Sequence, residues 1–598
     1  MLRIANCSGF YGDRLSAARE MVEGGPIDVL TGDWLAELTM LILAGNRLKG
    51  RPGYAPTFLR QLEQVLGTCV DRNIKIVSNA GGLDPAGCAE AVAELADRLG
   101  LTVRVAHVTG DDLSGHDLGD APNLDTGEKL PAAPLTANAY LGGRPIAAAL
   151  SAGADVVVTG RVTDAALVTG PGIWRYGWRP GDHDALAGSV VAGHVIECGC
   201  QATGGNYAFF GEVPDLAHCG FPLVELEPDG SSVITKHPGT GGLVSVGTVT
   251  AQLLYEIASP RYPGPDVVAR FDTIRLEQQG PDRVRISGVR GEAPPDTLKV
   301  AVNYVGGYRN TMTMVLTGLE IEAKARLAQE AIWSRVPRDR FDQVHVELTP
   351  LGDTALLRIT VMDADRRKAG RAFSSAVVET GLASYPGFYG LTPPGDASPY
   401  GVYWPTLVPA ETVRARAWLD GRELDIPQTG GRESPDRAAG GQEPGGGHPA
   451  AGRAAPVGSP ETRWPEAGRP ETRWPEAGRD GPGPVAGGPV VRAPLGTIVG
   501  ARSGDKGGNA NLGVWVRTAE QFAWLSGHLT VERLRELLPA TAGLEIERFD
   551  LPNLHALNFV VHGLLGRGVA ASPRLDAQAK ALGEELRARR ADIPRSLL

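Results

Sequence analysis

The segment GHVIECGCQATGGNY, residues 193–207, holds the densest mixture of groups that can move a proton or attack a carbonyl. His194 and Glu197 stand three positions apart and would share one face of a helix, so either could be the base of an acid–base pair. Cys198 and Cys200 are candidate nucleophiles if a base or a helix N-terminus lies nearby. A buried, hydrogen-bonded role is the alternative for all four. His194 and Glu197 would also suit a metal, but no third ligand presents itself, so we expect no metal.

Two further candidate acids lie where apolar segments end. Asp13 closes the motif GFYGD and Asp164 closes the motif TGRVTD. Each could exchange a proton with a substrate, or could cap the helix that follows it. Arg161, in the second motif, could clamp a carboxylate or a phosphate through parallel hydrogen bonds. The candidate catalytic residues are therefore Asp13, Asp164, His194 and Glu197.

Glycine-rich loops supply candidate binding residues. The loop KHPGTGG, residues 236–242, separates a predicted strand from a predicted helix, so its free amides and the positive helix end would favour an anion. A tight turn with a solvated lysine is the alternative. The loop NAGGLDP, residues 79–85, places an amide side chain beside glycines that let a ligand approach the backbone. The candidate binding residues are Asn79, Gly81, Gly82, Lys236, Thr240, Gly241 and Gly242, together with Arg161 and Gln201.

A second polar motif, ARSGDKGGNANLGVWV, interrupts a strand-forming segment at residues 501–516. A two-residue hairpin needs only Asn-Gly or Gly-Gly, yet this motif also holds Arg502, Asp505, Lys506 and Asn509. We therefore interpret residues 502–511 as a loop whose cations, oriented by the aspartate, grip a polyanion when the C-terminal domain closes over an N-terminal cleft. The alternative is a charge-satisfied interface between domains or subunits.

The elements that would position these residues repeat one theme over the first 200 residues. A short apolar segment ends in small polar residues and is followed by an amphipathic helix, as in ADVVVT, GRVTD and AALV. This order predicts an α/β domain with a mostly parallel sheet and helices on both faces. Ligands of such sheets bind beyond the carboxyl ends of the strands. We therefore expect one cleft to be formed by the loops at residues 8–13, 31–34, 79–84, 109–112 and 159–164.

The rest of the chain divides by composition and pattern. Residues 1–295 form the α/β domain, and residues 296–427 form an α+β lobe of the same core, with two strands after residue 297 and a helix at residues 319–336. Residues 428–490 are a Pro- and Gly-rich linker, predicted to be disordered, with PETRWPEAGR twice in tandem. Residues 491–598 show a βαβ order that predicts a ferredoxin-like α+β domain.

Composition limits the class of protein. The chain has 598 residues, which suggests several domains, and a net charge of −10, which argues against nucleic acid as a partner. No uncharged apolar segment reaches the roughly 18 residues of a membrane span, and the N-terminus lacks a signal pattern. Six unevenly spaced cysteines fit a reducing compartment. We expect a cytoplasmic protein without a membrane partner.

Several long motifs make the sequence resemble the acyclic terpene utilisation (AtuA) family. They include GFYGD, LAELTM, NAGGLDP, GADVVVTGRVTDAALVTGP, GHVIECGCQATGG and KHPGTGGLVSVGTVTAQLLYEI. The C-terminal block around ARSGDKGGNANLGVWV resembles the ferredoxin-fold domain that accompanies this family. The resemblance covers the chain apart from the linker. It implies a role in the catabolism of citronellol- and geraniol-type isoprenoids as coenzyme A thioesters, by hydration or carbon–carbon lysis, and it transfers no catalytic residue.

Together these features predict a lyase or hydratase that acts on a branched (hydroxy)acyl-CoA thioester. The cations would hold the phosphates of coenzyme A or a free carboxylate, and a candidate acid or base would move a proton beside the thioester carbonyl. Coenzyme A enters only as part of the substrate, and no bound cofactor is expected. One alternative is a non-catalytic subunit of an acyl-CoA carboxylase or dehydrogenase system, and another is a hydrolase or lyase on a non-CoA organic acid. A homo-oligomer is left open.

Overall fold

A computed structural model of the chain describes residues 1–119, 121–426 and 488–598. The linker predicted at residues 428–490 lies outside these ranges apart from its last three positions, so its disorder and its repeat stay predictions. Within the described ranges, no helix has the length and apolar character that a membrane crossing requires.

Strands and helices alternate through the first part of the chain, as the apolar segments predict. The elements of this part are β1 (Leu2–Asn6), α1 (Ala17–Glu23), β2 (Val29–Gly32), α2 (Glu37–Arg47), α3 (Pro56–Asp71), β3 (Lys75–Ser78), α4 (Pro85–Arg98), β4 (Val105–Thr109), β5 (Thr136–Ala139), α5 (Arg144–Ser151), β6 (Val156–Thr159), α6 (Ala166–Tyr176), α7 (His183–Ile196), β7 (Pro222–Leu226), β8 (Ser232–Lys236), α8 (Val246–Leu253), β9 (Arg261–Pro263), β10 (Val268–Arg270), β11 (Arg275–Gly280), β12 (Arg283–Ser287) and β13 (Arg290–Glu292).

The remaining elements belong to the lobe and to the C-terminal domain. In the lobe they are β14 (Thr297–Thr317), α9 (Ile321–Arg335), β15 (Gln343–Leu351), β16 (Thr354–Asp363), α10 (Arg366–Ala369), α11 (Arg371–Glu379), β17 (Tyr389–Gly390), β18 (Ser398–Pro409), β19 (Arg416–Leu419) and β20 (Arg422–Leu424). In the C-terminal domain they are β21 (Val490–Pro494), β22 (Gly500–Lys506), β23 (Asn509–Trp515), α12 (Ala519–His528), α13 (Val531–Leu537), β24 (Ile546–Leu551), β25 (Ala556–Val561), α14 (Leu582–Ala588) and β26 (Arg590–Pro594).

The described residues build one large sheet of 11 strands in the order β11-β12-β8-β7-β1-β2-β3-β6-β4-β19-β20. The central strands β1, β2, β3, β6 and β4 are parallel. Antiparallel strands extend the sheet on both sides. The sheet is therefore mixed, with its parallel part at the centre, where the loops that follow the strands meet at one edge.

Helices cover both faces of this sheet. Neighbouring residues of a strand point to opposite sides, so they pack against different helices. Ile4 of β1 packs into a core with α5, α6 and α7. The next residue, Ala5, packs into a second core with α1, α3 and α4. Burial on both faces explains why the strands are continuously apolar. The predicted α/β fold with helices on both faces is confirmed.

The lobe is built around one long strand, where the sequence pattern predicted two. Strand β14 has 21 residues and pairs with β16, β17, β18 and β5. Its register shifts between Val305 and Gly307, and Gly307 has a φ of +134°. A bulge at this glycine bends the strand without ending it. Because β5 joins this sheet while β19 and β20 join the large one, the boundary predicted at residues 295/296 does not separate the two sheets.

The C-terminal domain has a four-stranded antiparallel sheet in the order β22-β23-β25-β24. The interpretation of residues 502–511 as a loop is wrong. Strands β22 and β23 run through this motif, Lys506 pairs with Asn509, and Gly507 and Gly508 form a two-residue turn. Gly507 has a φ of +64°, which glycine adopts without strain. The polar residues thus lie on strands, where alternate side chains face opposite sides.

Candidate functional site

Three carboxylates meet at the edge where the parallel strands end. Asp33 follows β2, Asp164 lies in the loop after β6, and Glu197 caps the C-terminal end of α7. One carboxylate oxygen of each lies within 4.8 Å of the other two. The structure thus brings together two of the predicted catalytic residues. We call these three residues the carboxylate cluster.

Asp33 was not singled out from the sequence, although its loop at residues 31–34 was expected in the cleft. Asn79 Nδ2 donates to Asp33 Oδ1 at 2.6 Å, and Leu35 N donates to the same oxygen at 3.0 Å. The other end of the amide, Asn79 Oδ1, accepts from Trp34 N at 2.7 Å. Asn79, predicted to bind substrate, therefore orients Asp33. Asp33 directly follows strand β2, and this position is the signal that could have identified it, since Asp164 was found because it follows β6.

Arg161 is the cation that directly contacts the carboxylate cluster. Its Nη1 lies 3.2 Å from Asp164 Oδ1 and donates to Leu35 O at 2.7 Å. The guanidinium lies over the ring of Tyr140, 4.4 Å from the ring centre. The arginine side chain is 4% exposed, whereas that of Asp164 is 27% exposed. Arg161 is therefore held in place by protein groups, and Asp164 is the member of the cluster that solvent reaches.

His194 lies on the last turn of α7 beside the cluster. Its Nδ1 is 3.4 Å from Glu197 Oε1, and its ring packs against the rings of Tyr262 and Phe271. Burial and, after it, the charge of Lys506 lower the pKa of His194 to about 4. The imidazole is therefore neutral near pH 7, so His194 is not a cationic partner for the cluster.

The C-terminal domain places Lys506 next to this site. Lys506 Nζ donates to Glu256 O at 2.6 Å. Glu256 has a φ of +57°, a left-handed conformation that is strained for a non-glycine residue. Its backbone N–H donates to Asn511 Oδ1 at 2.9 Å. Two residues of the C-terminal domain thus hold the strained peptide of the first domain.

Other residues of the same motif make the interface between the domains. Arg502 donates to the side chain of Gln201 and, at 3.2 Å, to Asn206 O. Asn509 Nδ2 donates to Asp125 Oδ1 at 2.9 Å. These contacts favour the interface alternative, and the grip on a polyanion stays a prediction. Arg502 pairs with Gln201 and Asn509 pairs with Asp125 across the interface between the domains. Lys506 lies on the same hairpin, and its charge acts on Glu197 of the carboxylate cluster.

A pocket lies where the three parts of the chain meet. The α2 region contributes Glu37, Leu38 and Leu41, the lobe contributes Asn303 and Tyr403, and the C-terminal domain contributes Asp505, Gly507, Val569 and Ala570. Tyr140 donates its hydroxyl to Glu37 Oε1 at 3.3 Å, and its ring lies under Arg161. Tyr140 and Arg161 therefore form a chain of side-chain contacts from Glu37 in the pocket wall to Asp164 in the carboxylate cluster.

The two carboxylates in the wall of this pocket have opposite environments. Burial, together with the nearby charges of Glu256 and Glu37, raises the pKa of Asp505 to about 7. Burial also raises the pKa of Glu37, but the charges of Lys299 and Arg161 outweigh it and hold this pKa below its ordinary value. Glu37 was missed in the sequence; its place at the first turn of α2, in LAELTM, was the available signal. Such a pair suits one acid and one base.

The family model of the acyclic terpene utilisation family protein AtuA matches residues 2–419, which include the carboxylate cluster. The chain belongs to the AtuA family. The model of the AtuA ferredoxin-like domain matches residues 493–591, so the predicted ferredoxin-like fold is confirmed as well. Comparisons with curated proteins and with solved structures gave no match.

The anion loop predicted from KHPGTGG has internal partners in this AtuA protein. Lys236 Nζ donates to Thr240 O at 2.7 Å and lies 3.2 Å from Asp282 Oδ2. Helix α8 begins at Val246 with its own capping box, so the Thr248 amide of its first turn is already paired with Ser245. A Cβ on Gly241 would lie 2.2 Å from the carbonyl oxygen of Asp215. The role of Lys236, Thr240, Gly241 and Gly242 in binding stays a prediction that these contacts do not favour.

Replacement of Lys236 by Met tests this loop. We expect the free energy of unfolding to fall by about 2 kcal/mol, because the variant removes a hydrogen bond from a charged donor and leaves Asp282 without its cation. The turnover proposed below should be unchanged. Urea unfolding and steady-state kinetics measure the two effects, and a large rise in KM without loss of stability would restore the predicted anion site.

Asp13 and the glycines of NAGGLDP also serve the local backbone. Asp13 Oδ2 accepts from Gly9 N at 2.9 Å, and α1 begins only at Ala17, so Asp13 closes its own loop and caps no helix. A Cβ on Gly81 would lie 2.6 Å from Thr159 O. Gly82 has a φ of +53°. These glycines allow two protein segments to approach each other, and their predicted contact with a ligand stays untested.

The two cysteines of the AtuA motif GHVIECGCQATGG have raised pKa values, although Arg14 Nη1 lies 3.5 Å from Cys200 Sγ. Burial raises the pKa of the Cys198 thiol well above its ordinary range, and Glu197 and Glu256 raise it further. The pKa of Cys200 is also raised, first by its contact with Cys219 and then by burial. Both thiols are therefore protonated near pH 7, which does not favour the nucleophile interpretation.

Asp111 supports Arg161 from behind and makes stability depend on pH. Its Oδ2 accepts from Arg161 N and from Asn138 Nδ2, both at 2.9 Å, and burial raises its pKa to about 6. Because the pKa of Asp111 is higher in the folded state than in the unfolded state, its protonation adds to the free energy of unfolding. This contribution is complete below the pKa of the unfolded state and is lost as pH rises through about 6. We expect Asp111→Asn to remove up to about 3 kcal/mol of this decline. Urea unfolding from about pH 4 to about pH 8 measures it, and an equal decline in both proteins would contradict it.

Proposed function

We propose that this AtuA protein is a hydratase or lyase that acts on a branched (hydroxy)acyl-CoA thioester in acyclic terpene catabolism. The observation that carries the proposal is the pocket wall. It holds Glu37, whose pKa is lowered, and Asp505, whose pKa is raised, together with apolar side chains. Carboxylates of this kind supply one proton acceptor and one proton donor. The side chains of Leu38, Val569 and Ala570 suit a branched hydrocarbon chain.

In this proposal Glu37 is the base and Asp505 is the acid. During dehydration of a β-hydroxyacyl thioester, Glu37 takes the proton from Cα while Asp505 protonates the leaving hydroxyl. The Cα–H and Cβ–O bonds break, a Cα=Cβ double bond forms, and one water leaves. Hydration is the reverse, and both directions use the same two groups.

Lys299 suits the negative charge that develops on the thioester oxygen. Its Nζ lies 4.0 Å from Glu37 Oε1 and 5.0 Å from the centre of the Tyr140 ring, and its side chain is 33% exposed. A preorganised cation beside a developing enolate lowers the barrier to its formation. Lys299 belongs to β14, so the first domain, the lobe and the C-terminal domain each contribute one group to the proposed reaction.

Product analysis with the purified protein tests this function. The protein is incubated with branched β-hydroxyacyl-CoA thioesters and with the matching enoyl-CoA thioesters, and the products are identified by mass spectrometry. We expect the gain or loss of one water, or cleavage into two fragments of which one remains a CoA thioester. Failure of every thioester to react would overturn the proposal.

A competition experiment separates the thioester from a free organic acid. Free coenzyme A should inhibit turnover if the CoA portion is bound. If the free acids react and coenzyme A does not compete, the substrate is a non-CoA organic acid and the thioester part of the proposal is wrong.

A further inference from the structure

We propose that the carboxylate cluster, formed by Asp33, Asp164 and Glu197, is a binding site for a hard divalent cation such as Mg²⁺, Mn²⁺ or Ca²⁺. The ligand oxygens lie within 4.8 Å of one another. Two oxygens on opposite sides of a bound cation are about 4 to 5 Å apart, so these three can reach one ion with small rotations of their side chains. Oxygen-only ligands select hard cations over Zn²⁺ or Cu²⁺.

The charge balance of the cluster favours a cation. The side chain of Glu197 is 6% exposed, and Asp33 is also 6% exposed. Three carboxylates so close together repel one another when ionised. Among the described residues, Arg161 is the guanidinium in salt-bridge contact with the cluster, and it reaches only Asp164. Arg161 and Lys506 act on Asp33 and Glu197 only from beyond salt-bridge distance, so a divalent cation would supply these two carboxylates with a positive charge in direct contact.

An independent observation comes from His194. This side chain is 1% exposed, and within the described ranges neither ring nitrogen makes a hydrogen bond of good geometry, although the backbone of Gln252, Leu253 and Tyr255 lies close to the ring. Its Nδ1 faces the cluster, 3.4 Å from Glu197 Oε1. Buried polar atoms are almost always paired. We therefore expect the imidazole to gain a hydrogen-bond partner when a cation occupies the carboxylate cluster. Glu197 ionised as a cation ligand would accept from Nδ1–H, as second-shell groups do at metal sites.

The cluster is also held as a ligand set should be. Asp33 Oδ1 is fixed by Asn79 and by the Leu35 amide, and the Asp33 carboxyl group also contacts that of Asp164. Asp164 Oδ1 is buried and accepts no hydrogen bond in the described part of the chain, although Arg161 Nη1 lies 3.2 Å from it as its ion-pair partner. The sequence suggested only His194 and Glu197 as metal ligands and no third. The tertiary structure instead joins Glu197 to two aspartates from different loops.

Cation binding by the full-length protein tests this proposal without any substrate. The protein is treated with EDTA, desalted and titrated with MnCl₂, and free Mn²⁺ is followed by electron paramagnetic resonance. We expect one bound Mn²⁺ per chain, displaced by Mg²⁺ or Ca²⁺, and a rise of the thermal midpoint on binding. Asp164→Asn and Glu197→Gln should each weaken binding by at least about 10-fold.

Glu330→Gln is the matched control, because Glu330 is an exposed carboxylate on α9. It should bind Mn²⁺ as the unaltered protein does, and circular dichroism confirms that each variant is folded. Absence of a bound cation in the unaltered protein, or equal affinity in folded Asp164→Asn, would overturn the proposal. Because no substrate is used, this outcome is independent of whether the proposed reaction occurs.

Discussion

Asp505→Asn and Glu37→Gln are each expected to lower kcat by about 10²- to 10⁴-fold, the usual contribution of a positioned acid or base. Both side chains line the pocket at the junction of the three parts of the chain. The amides keep the size of the carboxyl groups, so KM should change far less than kcat. Steady-state kinetics with the thioester identified by product analysis measures the effect.

The pH profile distinguishes the two roles. Because burial raises the pKa of Asp505 to about 7, an acid at this position is active below about pH 7 and loses its proton above it. The rate of dehydration should therefore fall as pH rises through about 7, and this limb should be absent from the residual activity of Asp505→Asn. Glu330→Gln serves as the control and should behave as the unaltered protein. Full activity of either pocket variant would exclude that residue from proton transfer.

Asn511→Ala is expected to destabilise the docking of the C-terminal domain and to abolish turnover. Asn511 is fully buried, accepts from Glu256 N at 2.9 Å, and donates to Ile257 O at 3.1 Å and to Asn558. Alanine leaves the strained Glu256 amide and Asn558 Oδ1 without partners, whereas Ile257 O keeps the hydrogen bond from Asn558 Nδ2 at 3.2 Å. Each unpaired buried group costs about 1–3 kcal/mol, so the free energy of unfolding should fall by about 3 kcal/mol or more. Turnover should be lost because Asp505 and Lys506 lie on the same hairpin.

Asn553→Ala is the control for this effect, since it lies in the same interface away from Glu256. Asn553 Nδ2 donates to Phe271 O at 2.9 Å and to Ile274 O at 3.0 Å. We expect a loss of about 1 kcal/mol with turnover retained. Urea unfolding and limited proteolysis compare the two variants. Equal losses of activity would show that the interface as a whole, and not the support of Glu256, is required.

The parallel part of the fold and its functional edge could be predicted from local patterns. Continuous apolar segments followed by small polar residues are produced by strands buried on both faces, and such strands place their following loops at one edge. Asp164 was identified in this way, whereas Glu197 was identified from the titratable groups of residues 193–207 and its spacing from His194. Asp33 follows the same rule but, in TGDW, looks like an ordinary helix cap. Only the hydrogen bond from Asn79 and the short distance to Glu197 show that Asp33 belongs to the carboxylate cluster and is not simply a helix cap.

Groups that depend on partners far along the chain were decided by the tertiary structure alone. Lys236 has the sequence of an anion site, but Asp282 on another loop already neutralises it. The hairpin at Gly507 was missed because its polar residues were assigned to a loop, whereas they pair with Glu256 and Asp125 of the first domain. Glu37 and Asp505 acquire opposite pKa shifts only from neighbours that folding brings to them. Periodicity reports which face of an element is buried, since this is a local property. It carries no information about which distant charge lies against that face, because charge–charge energies depend on distance in space.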